Sequence, residues 1–107
     1  MSDKYNPKHE TILNKIMQDM PQANAGRMFG YPGYKVNGKL ATGLHEQGII
    51  VKVGQKRANE IIEQGTGAPF EPMAGRVWKD WVLLTGNFEK NKALFKEAVT
   101  WVTKETA

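Results

Sequence analysis

The sequence predicts a two-layer α+β domain in which helices cover a five-stranded antiparallel sheet. Three observations carry that prediction. Between Arg27 and Val53, short runs rich in β-branched, aromatic and aliphatic residues alternate, with Leu40, Thr42 and Leu44 set against Ala41, Gly43 and His45. Two turn signals divide those runs. Asn37-Gly38 is the preferred pair for a two-residue type I′ hairpin, and Glu46-Gln47-Gly48 offers a glycine for the left-handed position of a second reversal. On both sides of this stretch, and again near the end of the chain, apolar residues recur at helical spacing instead.

Asn6-Pro7 opens the first helix, because Asn is a favoured N-cap and Pro at the first helical position gives up no hydrogen bond. Ile12, Leu13, Ile16, Met17 and Met20 make one apolar stripe, and Pro21 ends the helix. Gly30-Tyr31-Pro32-Gly33 then interrupts the first strand, which is expected to be an edge, bulged near Pro32. After Val53-Gly54 the period changes. Gln55 to Gln64 reads as a helix with Ala58, Ile61 and Ile62 on one side and Gly65 as its C-cap. Phe70-Glu71-Pro72-Met73 reads as a short edge strand, Ala74-Gly75-Arg76 as a turn, and Val77 to Leu84 as the return, most convincingly from Trp81 onward. Asn87 is expected to cap a final helix, with Phe88, Leu94, Phe95, Ala98, Val99, Trp101 and Val102 as its apolar face. The order is helix, three strands, helix, two strands, helix. Strand order 1-2-3-5-4 puts both proline-bearing strands at edges, where a missing N–H costs least.

The 107 residues suit one domain, residues 1–107, with length enough to bury a core unaided. No apolar run approaches the ~20 residues of a membrane span, and the polar start Met-Ser-Asp-Lys has no signal-type apolar segment. Cysteine is absent, which excludes disulfides and thiolate metal sites. These features point to a cytoplasmic protein with no membrane partner. The net charge of +4 invites a nucleic-acid reading, but the 15 Lys and Arg are scattered among acids, as at Glu89-Lys90, Lys96-Glu97 and Lys104-Glu105. Mixed signs of this kind make a solvated surface more readily than a phosphate track.

The motifs of catalysis are missing from the sequence. Ser2 is the only serine, so neither a serine elbow nor a Cys–His pair exists. His9 and His45 lie far apart without metal-ligand spacing, and His45, just before a turn, reads as structural or solvent-facing. Gly65-Thr66-Gly67 begins like a dinucleotide loop but follows a helix and lacks the third glycine. Glu60 and Glu63 share a charged helical face. The expectation is no enzyme, no metal and no cofactor.

Two aromatic-basic groups remain, Arg27 to Tyr34 and Gly75 to Trp81. Aromatics interleaved with cations can stack single-stranded bases. Alternatively Phe29, Tyr34, Trp78 and Trp81 fill the core between sheet and helices, burying on the order of 150–250 Å² each. Both readings stay open for Tyr31 and Trp78. Arg27, Tyr31, Tyr34, Arg76 and Trp78 are the candidate residues for binding a protein partner or a second copy of the chain, with weak nucleic-acid binding as the other possibility.

At these same groups the sequence resembles the N-terminal domain of the TfoX/Sxy family of bacterial competence regulators. The resemblance rests on Arg27-Met28-Phe29-Gly30, Gly33-Tyr34, Asn37-Gly38-Lys39, Ile50-Val51-Lys52-Val53, Phe70-Glu71-Pro72-Met73, Gly75-Arg76 and Trp81-Val82. It covers nearly the whole chain from the first helix on. It implies a fold similar to secretion chaperones, with the element order read above, and a stand-alone bacterial member without the helical second domain of the transcription-promoting regulators. It implies a non-enzymatic regulatory or protein-binding module, and it brings no catalytic residues.

Overall fold

Asn6 starts the first helix as its pattern predicts, its side chain accepting the Lys8 amide at 2.9 Å. This computed structural model describes residues 5–28 and 30–107. Helix α1 spans Pro7–Met17 and buries Leu13, Ile16 and Met17. It stops four residues short of Pro21, so the proline follows the helix end rather than causing it. Strands β1 (Asn24–Met28), β2 (Tyr31–Val36), β3 (Lys39–His45) and β4 (Gly48–Lys52) follow, then helix α2 (Gln55–Glu63), strands β5 (Ala68–Pro69) and β6 (Trp81–Leu84), and helix α3 (Lys92–Glu105).

The described residues form one antiparallel sheet of six strands, ordered β1-β2-β3-β4-β6-β5. The α+β class holds; the five-stranded sheet does not. The expected first strand is a hairpin, in which Met28 pairs with Tyr31 and Gly30 sits at φ 82. Gly30 therefore serves a reversal, not a bulge near Pro32. Pro32 faces Arg27 of β1, and the ladder to β3 begins only at Gly33, so its missing N–H interrupts no β2–β3 pairing. The bulge lies further along, where the register shifts between Tyr34 and Lys35 and skips Ala41. The Phe29 expectation lies outside the described residues.

Other corrections are local. Asn37 and Gly38, at φ 52 and 84, make the two-residue reversal that their pair favours. Gly48 is not left-handed; it pairs with His45 inside β4, where a β-carbon would stand 2.0 Å from the Leu84 carbonyl oxygen. The edge strand is Ala68–Pro69 rather than Phe70–Met73, and Met73 and Arg76 form an isolated bridge around the Ala74-Gly75 turn. Helix α3 begins after Asn91, not Asn87; Asn87 takes φ 54 and its carbonyl accepts the Asn91 amide and side chain. Trp101 does not join the apolar face of α3. It is exposed at the surface, with its ring edge above Gly54.

All three helices contribute to one core. Leu13 and Ile16 of α1, Ala58 and Ile61 of α2, and Phe95, Ala98, Val99 and Val102 of α3 close over Val36, Leu44, Ile49, Val51, Val82 and Leu84. Thr42, the one buried polar side chain among the described residues, donates its hydroxyl to the Ile50 carbonyl at 2.7 Å, so its polarity is satisfied. The alternate residues of the same strands point the other way. There Ile50, Phe70, Trp81 and Leu83 make a second, smaller cluster with Leu40 and Trp78 against it.

Candidate functional site on the open sheet face

The face turned away from the helices is shaped by what its strands lack. Gly26 pairs with Gly33, Gly33 with Gly43, and Gly43 with Ile50, so three glycines in register cross β1, β2 and β3. The fold needs the middle one. A β-carbon on Gly33 would stand 2.7 Å from the Thr42 carbonyl oxygen and 2.8 Å from Leu40 Cδ1. Gly43 differs, because its β-carbon would meet nothing nearer than the Pro32 carbonyl oxygen at 3.5 Å, an ordinary contact. Packing alone leaves Gly43 free to be alanine, and a strand glycine often marks a close approach by a ligand or another backbone.

Around this bare strip stand walls from two parts of the chain. The β1–β2 hairpin brings Met28 and Tyr31 to one side. The connection from β5 to β6 folds over the other as a flap, held by the Trp78 amide on the Phe70 carbonyl at 2.9 Å and the Arg76 amide on the Met73 carbonyl at 2.9 Å. Glu71 steadies the flap tip by accepting the Gly75 amide at 2.5 Å. Between these walls lies a cavity of about 310 Å³ with Gly43, Leu40 and Ile50 in its lining.

Four rings run along the cavity. Tyr31 stacks on His45 with centroids 5.1 Å apart and planes 27° apart. His45 meets Phe70 edge-on at 4.9 Å, and Phe70 meets Trp78 edge-on at 5.3 Å. Beyond these four, Trp81 packs 5.9 Å from Trp78 without lining the cavity. Tilted and edge-to-face arrangements at these separations suit the ring quadrupoles and hold the wall without a helix behind it. Phe70 and Trp81 are 3% and 8% exposed, whereas Tyr31, His45 and Trp78 are half-buried and keep surface toward the cavity or solvent.

Charge at the site is sparse. Among the described residues Glu46 is the one carboxylate lining the cavity, and it accepts the Tyr31 hydroxyl at 3.3 Å. Burial, and then the Glu46 charge and hydrogen bond, push the Tyr31 phenol above its ordinary value. Among the described residues Glu46 has no ion pair. Lys35 lies further along the same sheet face, and Lys35 and Lys39 line a hollow with Trp78 and Trp81. The described residues contain no group of three or more His, Asp or Glu positioned to hold a metal ion.

The residues singled out from the sequence separate here. Tyr31 and Trp78 line the same cavity. Arg76 is exposed at the flap tip, bridged to Met73, which also lines the cavity. Tyr34 does not join them: it packs on the helix-side core and donates its hydroxyl to Asn14 at 2.8 Å, its phenol raised by burial and by Glu10. Arg27 pairs across from Pro32, so by register it points opposite to Met28 and Tyr31; its guanidinium donates to the Gly30 carbonyl at 3.1 Å. Trp81 is buried, but in the small open-face cluster and not under the helices. The same holds for half-buried Trp78.

Sequence reasoning missed His45 as a wall residue, Gly43 as the floor, and Met73 and Val77 as exposed apolar groups at 59% and 46%. The glycines at alternating positions of adjacent strands were the one signal available. No protein-family model matches the chain, and neither curated proteins nor solved structures gave a match to it. Among the described residues no helix is long and apolar enough to cross a membrane.

Proposed function

We propose that this protein is a non-enzymatic binding module whose working surface is the open sheet face, with a partner protein seated over the cavity and flap. The observation that carries this reading is the cavity of about 310 Å³ with four rings and exposed Met73 in its lining, Val77 being exposed on the same flap. Natural binding sites are concave and mostly apolar with a few polar groups, and exposed apolar side chains beside such a site add contact area. The resemblance to the N-terminal domain of TfoX/Sxy competence regulators supports a regulatory role for that contact. The sequence holds no cysteine and neither a serine elbow nor a Cys–His pair, which supports a binding role over covalent chemistry.

Weak nucleic-acid binding is the second reading, favoured by the hollow that Lys35 and Lys39 share with Trp78 and Trp81. Pull-down from a bacterial lysate, repeated after nuclease treatment, separates the two. Recovery of a protein at stoichiometric yield with nuclease present supports the partner reading. Retention that vanishes with nuclease, or falls steeply with salt, transfers the function to nucleic acid.

A further inference from the structure

The cavity carries more chemical information than its apolar lining. Rings stand in its walls, its floor is bare at Gly43, and among the described residues its one charge is the carboxylate of Glu46 at the rim. The whole chain is cationic, at +4, yet none of the described Lys or Arg residues lines this cavity. Glu46 makes one hydrogen bond, from the Tyr31 hydroxyl at 3.3 Å, and has no ion pair among the described residues. An occupant therefore meets mixed aromatic and aliphatic surface, and at one end a carboxylate with no ion pair among the described residues. Ring faces attract cations, and a carboxylate beside them adds Coulomb attraction. A ligand with a negative end faces the opposite field.

We infer that the cavity is a binding site for an aromatic ammonium ligand, its ring lying over Gly43 between Tyr31 and Trp78 and its ammonium group against Glu46. This deepens the binding-module reading by giving the open face a small-molecule effector of defined chemistry. Gly43 sets the depth: a side chain there fits the backbone in ordinary contact and would occupy the space the ring needs. His45, stacked on Tyr31 and edge-on to Phe70, holds the two walls in one arc.

The test is an amide NMR titration of the full chain with tryptamine and, separately, with indolepropionate, which keeps the ring and reverses the charge. Tryptamine is expected to move the Gly43, His45 and Phe70 amides saturably and to bind about tenfold more tightly than indolepropionate. Glu46→Gln, an exposed turn substitution, should bring the two ligands to equal affinity, and Gly43→Leu should abolish both responses. Should Gly43→Leu not fold, Gly43→Ala takes its place and should weaken tryptamine about threefold. Three results overturn the assignment: no saturable shift below ~10 mM tryptamine, indolepropionate binding as tightly in the native chain, or tryptamine binding unchanged by the Gly43 substitutions. Partner capture without tryptamine binding defeats the ligand assignment alone. Tryptamine binding without partner capture defeats only the partner reading.

Discussion

The two faces of one sheet are built from alternate residues of the same strands, yet they are finished differently. On the helix side Ile49, Val51, Val82 and Leu84 are completely buried beneath three helices. Polar contacts fasten that layer from outside. Arg57 holds Glu97 through two nitrogens at 2.8 and 3.2 Å and reaches Glu60 at 3.2 Å; Lys52 pairs with Glu105 at 2.8 Å, and Lys92 with Asp19. Asn37 ties the β2–β3 hairpin to the end of α3 through the Thr106 hydroxyl at 2.8 Å. Among the described residues the open side has no helix, one short flap and a cavity. The helix side buries the larger core, and the open side leaves apolar surface uncovered.

The largest effect should therefore come from the helix side. Phe95 is fully enclosed, and Phe95→Ala should cost about 3–5 kcal/mol through lost burial and a cavity. Trp81→Ala should cost less, about 3 kcal/mol, because the flap can settle where three helices cannot. Denaturant midpoints for the two variants measure the gap, and equal losses would mean the open face is as firmly packed as the core.

The glycines sharpen the comparison within the open face. Gly33→Ala drives a β-carbon against a carbonyl oxygen and should destabilise by about 1–3 kcal/mol. Gly43→Ala meets only ordinary contacts and should stabilise by about 0.5–1 kcal/mol, since alanine loses less backbone freedom on folding. Thermal unfolding of both reads this directly. A loss at Gly43 similar to that at Gly33 would show that packing requires both glycines, and the cavity floor would need no ligand to explain it.

How far these faces could be read from sequence depended on whether the signal was local. Asn6, Asn37-Gly38 and the stripe of α1 act through their own backbone, and each lies where its chemistry predicts. The extra hairpin was hidden because Met28-Phe29-Gly30-Tyr31 lacks the Asn-Gly signal and the neighbouring Pro32 suggested a bulge. Alternation shows that a strand has two faces without saying which one the helices take. The core-filling alternative thus placed Trp81 and Tyr34 in one core, whereas they lie on opposite sides of the sheet. The cavity depends on β5 ending after Pro69 so that Phe70 to Asp80 can fold back over the sheet, a tertiary event with no periodicity of its own.

The smallest expected effect is at alkaline pH. Tyr31 keeps its proton longer in the folded chain than its ordinary value of 10.0 allows, first through burial and then through Glu46. A phenol raised on folding contributes fully below its unfolded value and loses that contribution as pH climbs through the raised one. Tyr31→Phe should therefore make the alkaline loss of stability shallower, and Glu46→Gln should let Tyr31 ionise at lower pH in a phenolate absorbance titration. An unchanged titration in Glu46→Gln would separate the ring from the carboxylate.

The claim that the open face does the binding is tested most directly by substituting one exposed residue on each side of the sheet. Met73→Asp puts a charge on the cavity rim, and Lys96→Glu reverses one on the exposed surface of α3. Both chains should fold with unchanged unfolding midpoints, and each is used to recover protein partners from nuclease-treated lysate. The open-face account predicts that Met73→Asp loses the recovered partner while Lys96→Glu keeps it. Retention by Met73→Asp together with loss in Lys96→Glu would move the binding surface to the helices and contradict the account.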